Sequence, residues 1–315
     1  MHLKGPKEII RYLGDINKLH WLRKEAVIFL IVRIAANTRR RTILHSASWD
    51  PGSWSEQNEA EAAGRLALGN SQEGLYRRSN HGVLHSTSVL SNIFVALREL
   101  VEVDDLKQKM ANGEQGETSR FFRWSQLRRQ AVRARILNYW CDLTEPTHAV
   151  DPSTSTTPPP TKVHHASVAM CLCLALHIFV AFGLEASLLK QDWISTIQIW
   201  HIMLLRCIHR LGFDIESIDC SRDGACDLLW ICGMGAFVED VYLPMVLRDK
   251  PTFWTLYNAD EVGTRWFTVR FVALARRGFE DYDGVAATFE QRYVHIPSLQ
   301  DEALGRLFNF GWRTP

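Results

Sequence analysis

An all-α fold, a multi-helix domain of antiparallel amphipathic and buried helices, is what this sequence predicts, and three observations predict it. Apolar residues recur at three- and four-residue intervals in one segment after another, as in Trp193, Ile197, Trp200, Leu204 and Ile208. That is the period of a helix face. Strict two-residue alternation, the mark of a half-buried strand, is hardly seen. Hydrophobic residues make up 46% of the 315 residues, enough to bury the inner faces of many helices in one core or two. No repeat of 20 to 50 residues is visible, so a solenoid is not expected.

The elements follow in order. Pro6 suits a first helical position, and Ile9, Leu13, Ile16 and Leu19 follow at helical spacing, so residues 6 to 19 read as an amphipathic helix. Residues 21 to 37 form the next. It ends in Arg39-Arg40-Arg41, a basic triplet expected to complement the negative pole of a helix C-terminus. Trp49-Asp50-Pro51-Gly52-Ser53-Trp54 is turn chemistry. Residues 56 to 68, rich in Ala, Glu and Leu, should be helical. Leu90, Ile93, Leu97 and Leu100 mark a helix over 86 to 106, with Ser86-Thr87-Ser88 placed to cap its amides. A polar loop is expected over 108 to 119.

Arg120, Arg123, Arg128, Arg129, Arg133 and Arg135 then interleave with Phe121, Phe122, Trp124, Leu127, Ile136 and Tyr139. Basic and aromatic residues concentrate together only here, which makes it the segment to weigh for nucleic acid. The simpler expectation is an amphipathic surface helix with arginines in water and aromatics in the core. Asp151 to Thr161 is Pro-, Ser- and Thr-rich and reads as an extended linker or loop. The chain is therefore divided into 1–147, a first helical half, 148–163, the linker or loop insertion, and 164–315, a second helical half of the same domain.

Past the linker, 163 to 189 reads as one or two apolar helices and 193 to 211 as another, stopped by Gly212. A loop is expected over 220 to 227 and a helix from 228 toward Pro244. Further helices are expected over 264 to 277, 283 to 293 and 299 to 309. Ser298 with Asp301 three residues later is the pattern of a capping box for the last of them.

Thirty-six Lys and Arg against 35 Asp and Glu give a net charge of +1, without the basic excess of a nucleic-acid-binding domain. Seven cysteines, an odd number, lie partly within apolar helical runs, as reduced intracellular thiols do. Residues 1 to 7 turn polar before any long apolar stretch, so no secretory segment is expected there. The run from 166 to 184 has the length of a membrane span, yet His177 lies near its middle and Ser167 and Gly183 interrupt it. A buried core helix is the expectation.

The last third carries an ordered set of motifs. Leu228-Leu229-Trp230-Ile231-Cys232-Gly233-Met234-Gly235-Ala236 leads to Thr264-Arg265-Trp266-Phe267, then to Gly284-Val285, Phe289, Tyr293, Asp301-Glu302, Gly305 and Leu307-Phe308. This order resembles the end of the fungal-specific transcription factor domain, the helical regulatory region that usually follows a binuclear zinc-cluster DNA-binding motif. Gly5-Pro6 with Ile16-Asn17 and Leu19, the Glu/Ala-rich 59 to 66, and 169 to 179 resemble earlier parts of it. The family's closing Leu-Trp is Leu307-Phe308 here, and 70 to 165 matches poorly.

The zinc cluster has no counterpart, since six closely spaced cysteines are needed and the chain contains no Cys-x-x-Cys. A truncated gene product, a misassigned start and a free-standing relative all fit that difference. The resemblance implies a non-catalytic role in transcription regulation, in the nucleus or else the cytoplasm. Protein partners or a small-molecule effector are expected, with no direct DNA contact, no membrane and no cofactor; a homo- or heterodimer is compatible with it.

Residue patterns with chemical potential are each incomplete. His81 and His85 have the four-residue spacing of metal ligands, but Gly82 stands where a zinc hydrolase has glutamate. Asp214, Glu216, Asp219, Asp223 and Asp227, with Glu239-Asp240 beyond, form an acidic group that no spacing fixes on one face. His164-His165 and Ser86 belong to no nucleophile elbow. Gly233-Met234-Gly235 lacks the further glycine and preceding strand of a dinucleotide site. Catalytic, cofactor and metal residues are accordingly expected to be none; the alternatives are a membrane-associated or ligand-binding helical protein and a helical metal-dependent enzyme.

Overall fold

The computed structural model describes Glu8 and residues 16–54, 88–110, 115–145, 160–184, 192–211, 223–242 and 265–310. Every regular element among the described residues is helical, as the all-α reading requires. The chain divides into two compact units. One comprises Met1–Asn80 with Ser88–Glu145, the other His81–Thr87 with Pro146–Pro315. The expected helix over 56 to 68, most of that over 6 to 19, the pair His81 and His85, Ser86, and Asp214, Glu216 and Asp219 lie outside the described residues.

The first unit contains α1 (Trp21–Thr38), α2 (Ser88–Met110) and α3 (Gln115–Thr144). Residues 16 to 18, expected as the end of a longer helix, form a short 3-10 turn, Ile16–Lys18. Helix α1 buries Ile28, Ile31, Val32, Ala35 and Ala36, a stripe at i, i+3, i+4, i+7 and i+8. Ile28 and Val32 pack with Ile16 and Trp49 against Ala131 and Ala134 of α3. The helix stops at Arg39, whose positive φ of 54° closes the last turn as its N–H donates to the Ala36 carbonyl.

Of the basic triplet, Arg41 does not serve α1 as the sequence reading expected. Arg41 reaches instead to Asp142 and Glu145 at the end of α3. Helix α2 lays Leu90, Ile93, Phe94, Leu97 and Leu100 against α3. The loop expected over 108 to 119 is shorter than its polarity implied. Helix continues to Met110 and resumes at Gln115, because Lys, Gln, Glu and Met are good helix formers even where nothing apolar marks a period.

The second unit contains α4 (Pro160–Phe179), α5 (Asp192–Arg210), α6 (Asp223–Phe237), α7 (Trp266–Gly278), α8 (Tyr282–Arg292) and α9 (Pro297–Phe310). Helix α4 begins inside the proline-rich stretch read as extended to residue 161. Pro160 is its first residue, a position where the missing N–H has no helical partner to lose. A π-helical turn, Val180–Leu184, continues it. The apolar run Ala166–Leu184 is long and apolar enough to cross a membrane, and 83% of it is buried inside the protein. It packs on α5 and α6.

Helix α6 starts at Asp223, so 223 to 227, expected as loop, are helical. The helix is apolar all round and packs mainly against α7. Two glycines permit the approach. A Cβ on Gly235 would fall under 3.0 Å from Cγ, Cδ1 and Cδ2 of Phe267, so the α7 ring lies on bare α6 backbone. A Cβ on Gly233 would lie 3.1 Å from the ring tip of Phe289 from α8, a tight contact but a milder one. Trp230 stacks on Tyr293 with ring centroids 5.5 Å apart and donates its indole N–H to the Val294 carbonyl at 3.3 Å. Helix α8 is capped by Asp281, which accepts from the Gly284 N–H at 2.9 Å.

The capping box expected at Ser298 and Asp301 does not form. Asp301 accepts from the Tyr282 hydroxyl at 3.0 Å and contacts His295 Nε2 at 2.7 Å. The Gln300 side chain accepts from the Ile296 N–H instead. A three-residue pattern names the residue types but not which of several nearby donors a carboxylate will take.

Candidate functional site

Among the described residues, buried charge gathers chiefly at two places, one in each unit, and the first is the basic and aromatic segment singled out in the sequence. Arg128, Arg129 and Arg133 all lie on α3, and all three are buried. Arginine in an interior is tolerated only when its charge is met. Here the turn after α1 supplies the acid. Asp50, its side chain 4% exposed, accepts from Arg128 at 2.9 and 3.0 Å and from Arg135, and also takes the Gly52 N–H at 3.0 Å.

Helix α2 closes the cluster. Glu99 pairs with Arg128 at 3.3 Å and accepts the Trp54 N–H at 2.5 Å, while Asp104 takes Arg129. The Trp124 indole donates to the Gly52 carbonyl at 3.0 Å, and Trp54 stacks on Phe121. Arg128, Arg129 and Arg135, expected to face water, are therefore the pins that join α3 to α2 and to the turn over 49 to 54. Arg123 is exposed, and its guanidinium stacks 4.0 Å over the Trp21 ring. The sequence could not show this, because the partners of Arg128 lie 29 and 78 residues away.

The second place is the junction of α6 with α7. Glu239, in the π-helical turn Val238–Tyr242 that ends α6, is 6% exposed. Its two oxygens accept from the Phe267 N–H at 3.0 Å and from the Thr268 N–H and hydroxyl at 2.8 Å each. These are free amides of the first turn of α7, where a negative charge is favoured by the helix dipole. Burial pushes the Glu239 carboxyl up, and those hydrogen bonds oppose the shift. The neighbouring Asp240 accepts from Arg265 at 3.5 Å and from Arg306 of α9.

His201 of α5 brings a ring nitrogen within 3.9 Å of Glu239 and lies against Phe267. Burial holds its imidazole down at about 4, so at neutral pH it carries no charge and the approach is not an ion pair. His177, the polar residue in the long apolar run, stacks on Trp200 at 4.3 Å. Neither His201 nor the capping role of Glu239 was anticipated. A histidine next to the apolar stripe of α5 was the available signal, but its carboxylate neighbour lies 38 positions on.

The other sequence candidates are dispersed. Asp227 accepts from the Tyr293 hydroxyl at 2.7 Å, which ties α6 to the end of α8. His164 and His165 lie in the first turns of α4. Gly233 and Gly235 are packing positions, and Cys171, Cys173 and Cys232 are buried thiols. Among the described residues no three His, Cys, Asp or Glu side chains converge as a metal-binding group. The central carboxylates of the two clusters, Asp50 and Glu239, thus use both oxygens to hold helices and turns in register. No family model matches the chain, and neither a curated protein nor a solved structure matches it.

Proposed function

We propose that this chain is a non-catalytic regulatory domain of the fungal zinc-cluster transcription factor type, acting in the nucleus through protein partners or a small-molecule effector and making no DNA contact of its own. What carries the reading is where the ordered motif residues lie. Trp230, Gly233, Gly235, Phe267, Phe289 and Tyr293 span more than 60 positions, and they meet in one core built by α6, α7 and α8, with Phe308 of α9 buried against Tyr282 of α8. A motif defined by order rather than by reactive residues is a packing pattern, and a packing pattern belongs to a scaffold.

The charge clusters support the same reading. Asp50 and Glu239 spend both carboxylate oxygens on partners within the protein, which stabilises the arrangement and leaves these groups committed to it. A regulatory scaffold of this kind acts by presenting surfaces. Affinity capture of the tagged chain from fungal nuclear extract tests it: a transcription factor or coregulator retained through salt washing is expected. Recovery of cytoplasmic or membrane proteins alone would overturn it.

A further inference from the structure

Where the end of α5 meets the start of α7, positive charge is left without acid. The sequence carries no Asp or Glu from 193 to 213 or from 262 to 279, while Arg206, His209, Arg210 and Arg270 fall within those stretches. Two ring contacts hold the elements together. His209 of α5 lies 5.0 Å from Trp266, and His201 lies 5.1 Å from Phe267. Arg270, one turn along α7, covers the Trp266 ring 3.7 Å from its centroid and donates to the Trp266 carbonyl at 3.4 Å. Arg206, His209 and Arg210 are all exposed and share one face of α5, at i, i+3 and i+4. We propose that this face docks an acidic amphipathic helix of a partner protein. The inference rests on the surface alone and holds whether or not that partner regulates transcription.

Charge complementarity identifies the occupant. The other arginines of these stretches with contacts of their own are spent inside the protein: Arg265 on Asp240 and Arg276 on the Phe308 carbonyl. Arg206, Arg210 and Arg270 make no ion pair with a carboxylate among the described residues. Arg206 and Arg210 stand one helical turn apart and repel each other, and carboxylates brought by a partner relieve that repulsion. Stacking fixes the Arg270 guanidinium in place, so little of its freedom is lost when a carboxylate arrives.

Apolar side chains continue the same two helix faces. Val269, 53% exposed, lies beside Arg270 and one turn from Trp266, and Ile199, 49% exposed, lies two turns before Arg206. Arginines bordered by aliphatic side chains match a helix that carries carboxylates beside leucine or phenylalanine. Nucleic acid would use this face poorly. Strand binding needs aromatic faces free to stack on bases, and the Trp266 ring is covered by Arg270, flanked by His209 and met edge-on by Phe267 at 5.0 Å. The net charge of +1 adds no long-range attraction for phosphate.

The test uses the whole folded chain and a fluorescein-labelled peptide of two Leu-Glu-Asp-Phe-Leu-Glu-Ala repeats, read by fluorescence anisotropy beside a scrambled peptide of equal composition. Saturable binding with a Kd of about 10 µM is expected for the ordered peptide, and binding about tenfold weaker for the scrambled one. Arg206→Glu with Arg210→Glu should weaken the ordered peptide about tenfold, and Val269→Ser about threefold. Arg23→Glu with Arg40→Glu makes the same change of net charge on exposed arginines of the first unit and should leave the Kd within about twofold. In the wild type, bound peptide should slow amide exchange at the end of α5 and the start of α7, a readout that needs no variant. Absence of saturation by about 1 mM, or equal weakening by the two double variants, would overturn the proposal. So would tighter binding of single-stranded DNA, or of phosphatidylcholine vesicles containing phosphatidylserine, through the same arginines. Capture from nuclear extract tests the regulatory reading separately, so either idea can fail without the other.

Discussion

Replacing Gly235 by alanine should destabilise the second unit although it replaces the poorer helix former with the best one. In an exposed helix interior the change gains about 1 kcal/mol. Here the new methyl would fall under 3.0 Å from Cγ, Cδ1 and Cδ2 of Phe267. Cγ is the root of the ring and cannot swing aside without moving the whole side chain, and Phe267 is completely buried. Overpacking of a filled interior costs about 1–3 kcal/mol, occasionally more, and the upper part of that range is appropriate because three atoms are displaced together.

The net expectation is a loss of about 2 kcal/mol. Gly233→Ala is the internal control. Its methyl would press on the ring tip of Phe289, at 3.1 and 3.2 Å, and meet Phe271 at an ordinary 3.5 Å, so a few tenths of an ångström of give should suffice and the variant should remain near wild type. Urea unfolding followed by circular dichroism reads the difference, and with a slope of about 2 kcal/mol/M the two midpoints should stand about 1 M apart. Combining Gly235→Ala with Phe267→Leu should recover about 1 kcal/mol relative to the sum of the single changes. If Gly235→Ala stabilises the protein, or matches Gly233→Ala, the close approach of α7 to α6 backbone is wrong.

Asp50→Asn should cost about 2–3 kcal/mol, since it removes the charge that Arg128 and Arg135 share and leaves the buried Arg128 only its longer pair with Glu99; Arg41→Ala, which breaks a half-exposed pair with Asp142 and Glu145, should cost less than about 1 kcal/mol in the same urea assay. Glu239→Ala removes the acceptor for two amides and a hydroxyl at the start of α7 and should lower stability by about 2–3 kcal/mol, with faster amide exchange at Phe267 and Thr268. His201 should make the protein acid-sensitive. Its folded value of about 4 lies below the ordinary 6.5, so its contribution is complete above pH 6.5 and is lost as pH falls toward 4, by about 3 kcal/mol. Glu239, shifted upward, works in the opposite sense; between pH 7 and 4.5 the wild type should therefore lose more stability than His201→Asn, and equal losses would contradict the assignment.

Helices with a clear apolar period were legible from the residues alone. Ile197, Trp200, Leu204 and Ile208 predicted α5 and are buried, and α7 and α8 begin and end within two residues of their expected bounds. Legibility failed where a polar residue chooses a distant partner. Arg128 looks like a surface arginine until Asp50 is brought to it across 78 positions, and Asp301 looks like half of a capping box until Tyr282 and His295 claim it. Glu239 belongs to an acidic pair in the sequence and to the first turn of another helix in the fold. Periodicity reports a local property, whereas the pairing of buried charge is decided by tertiary contacts.

Tethering tests the regulatory role most directly. The whole chain fused to a heterologous DNA-binding domain, expressed in a fungal cell beside a reporter carrying that domain's sites, should raise or lower transcription relative to the DNA-binding domain alone. Leu174→Asp, which places a charge at a buried position of α4, should abolish the effect. Unchanged transcription from a fusion that is folded, nuclear and bound to its sites, with basal and activated reporters alike, would contradict the account.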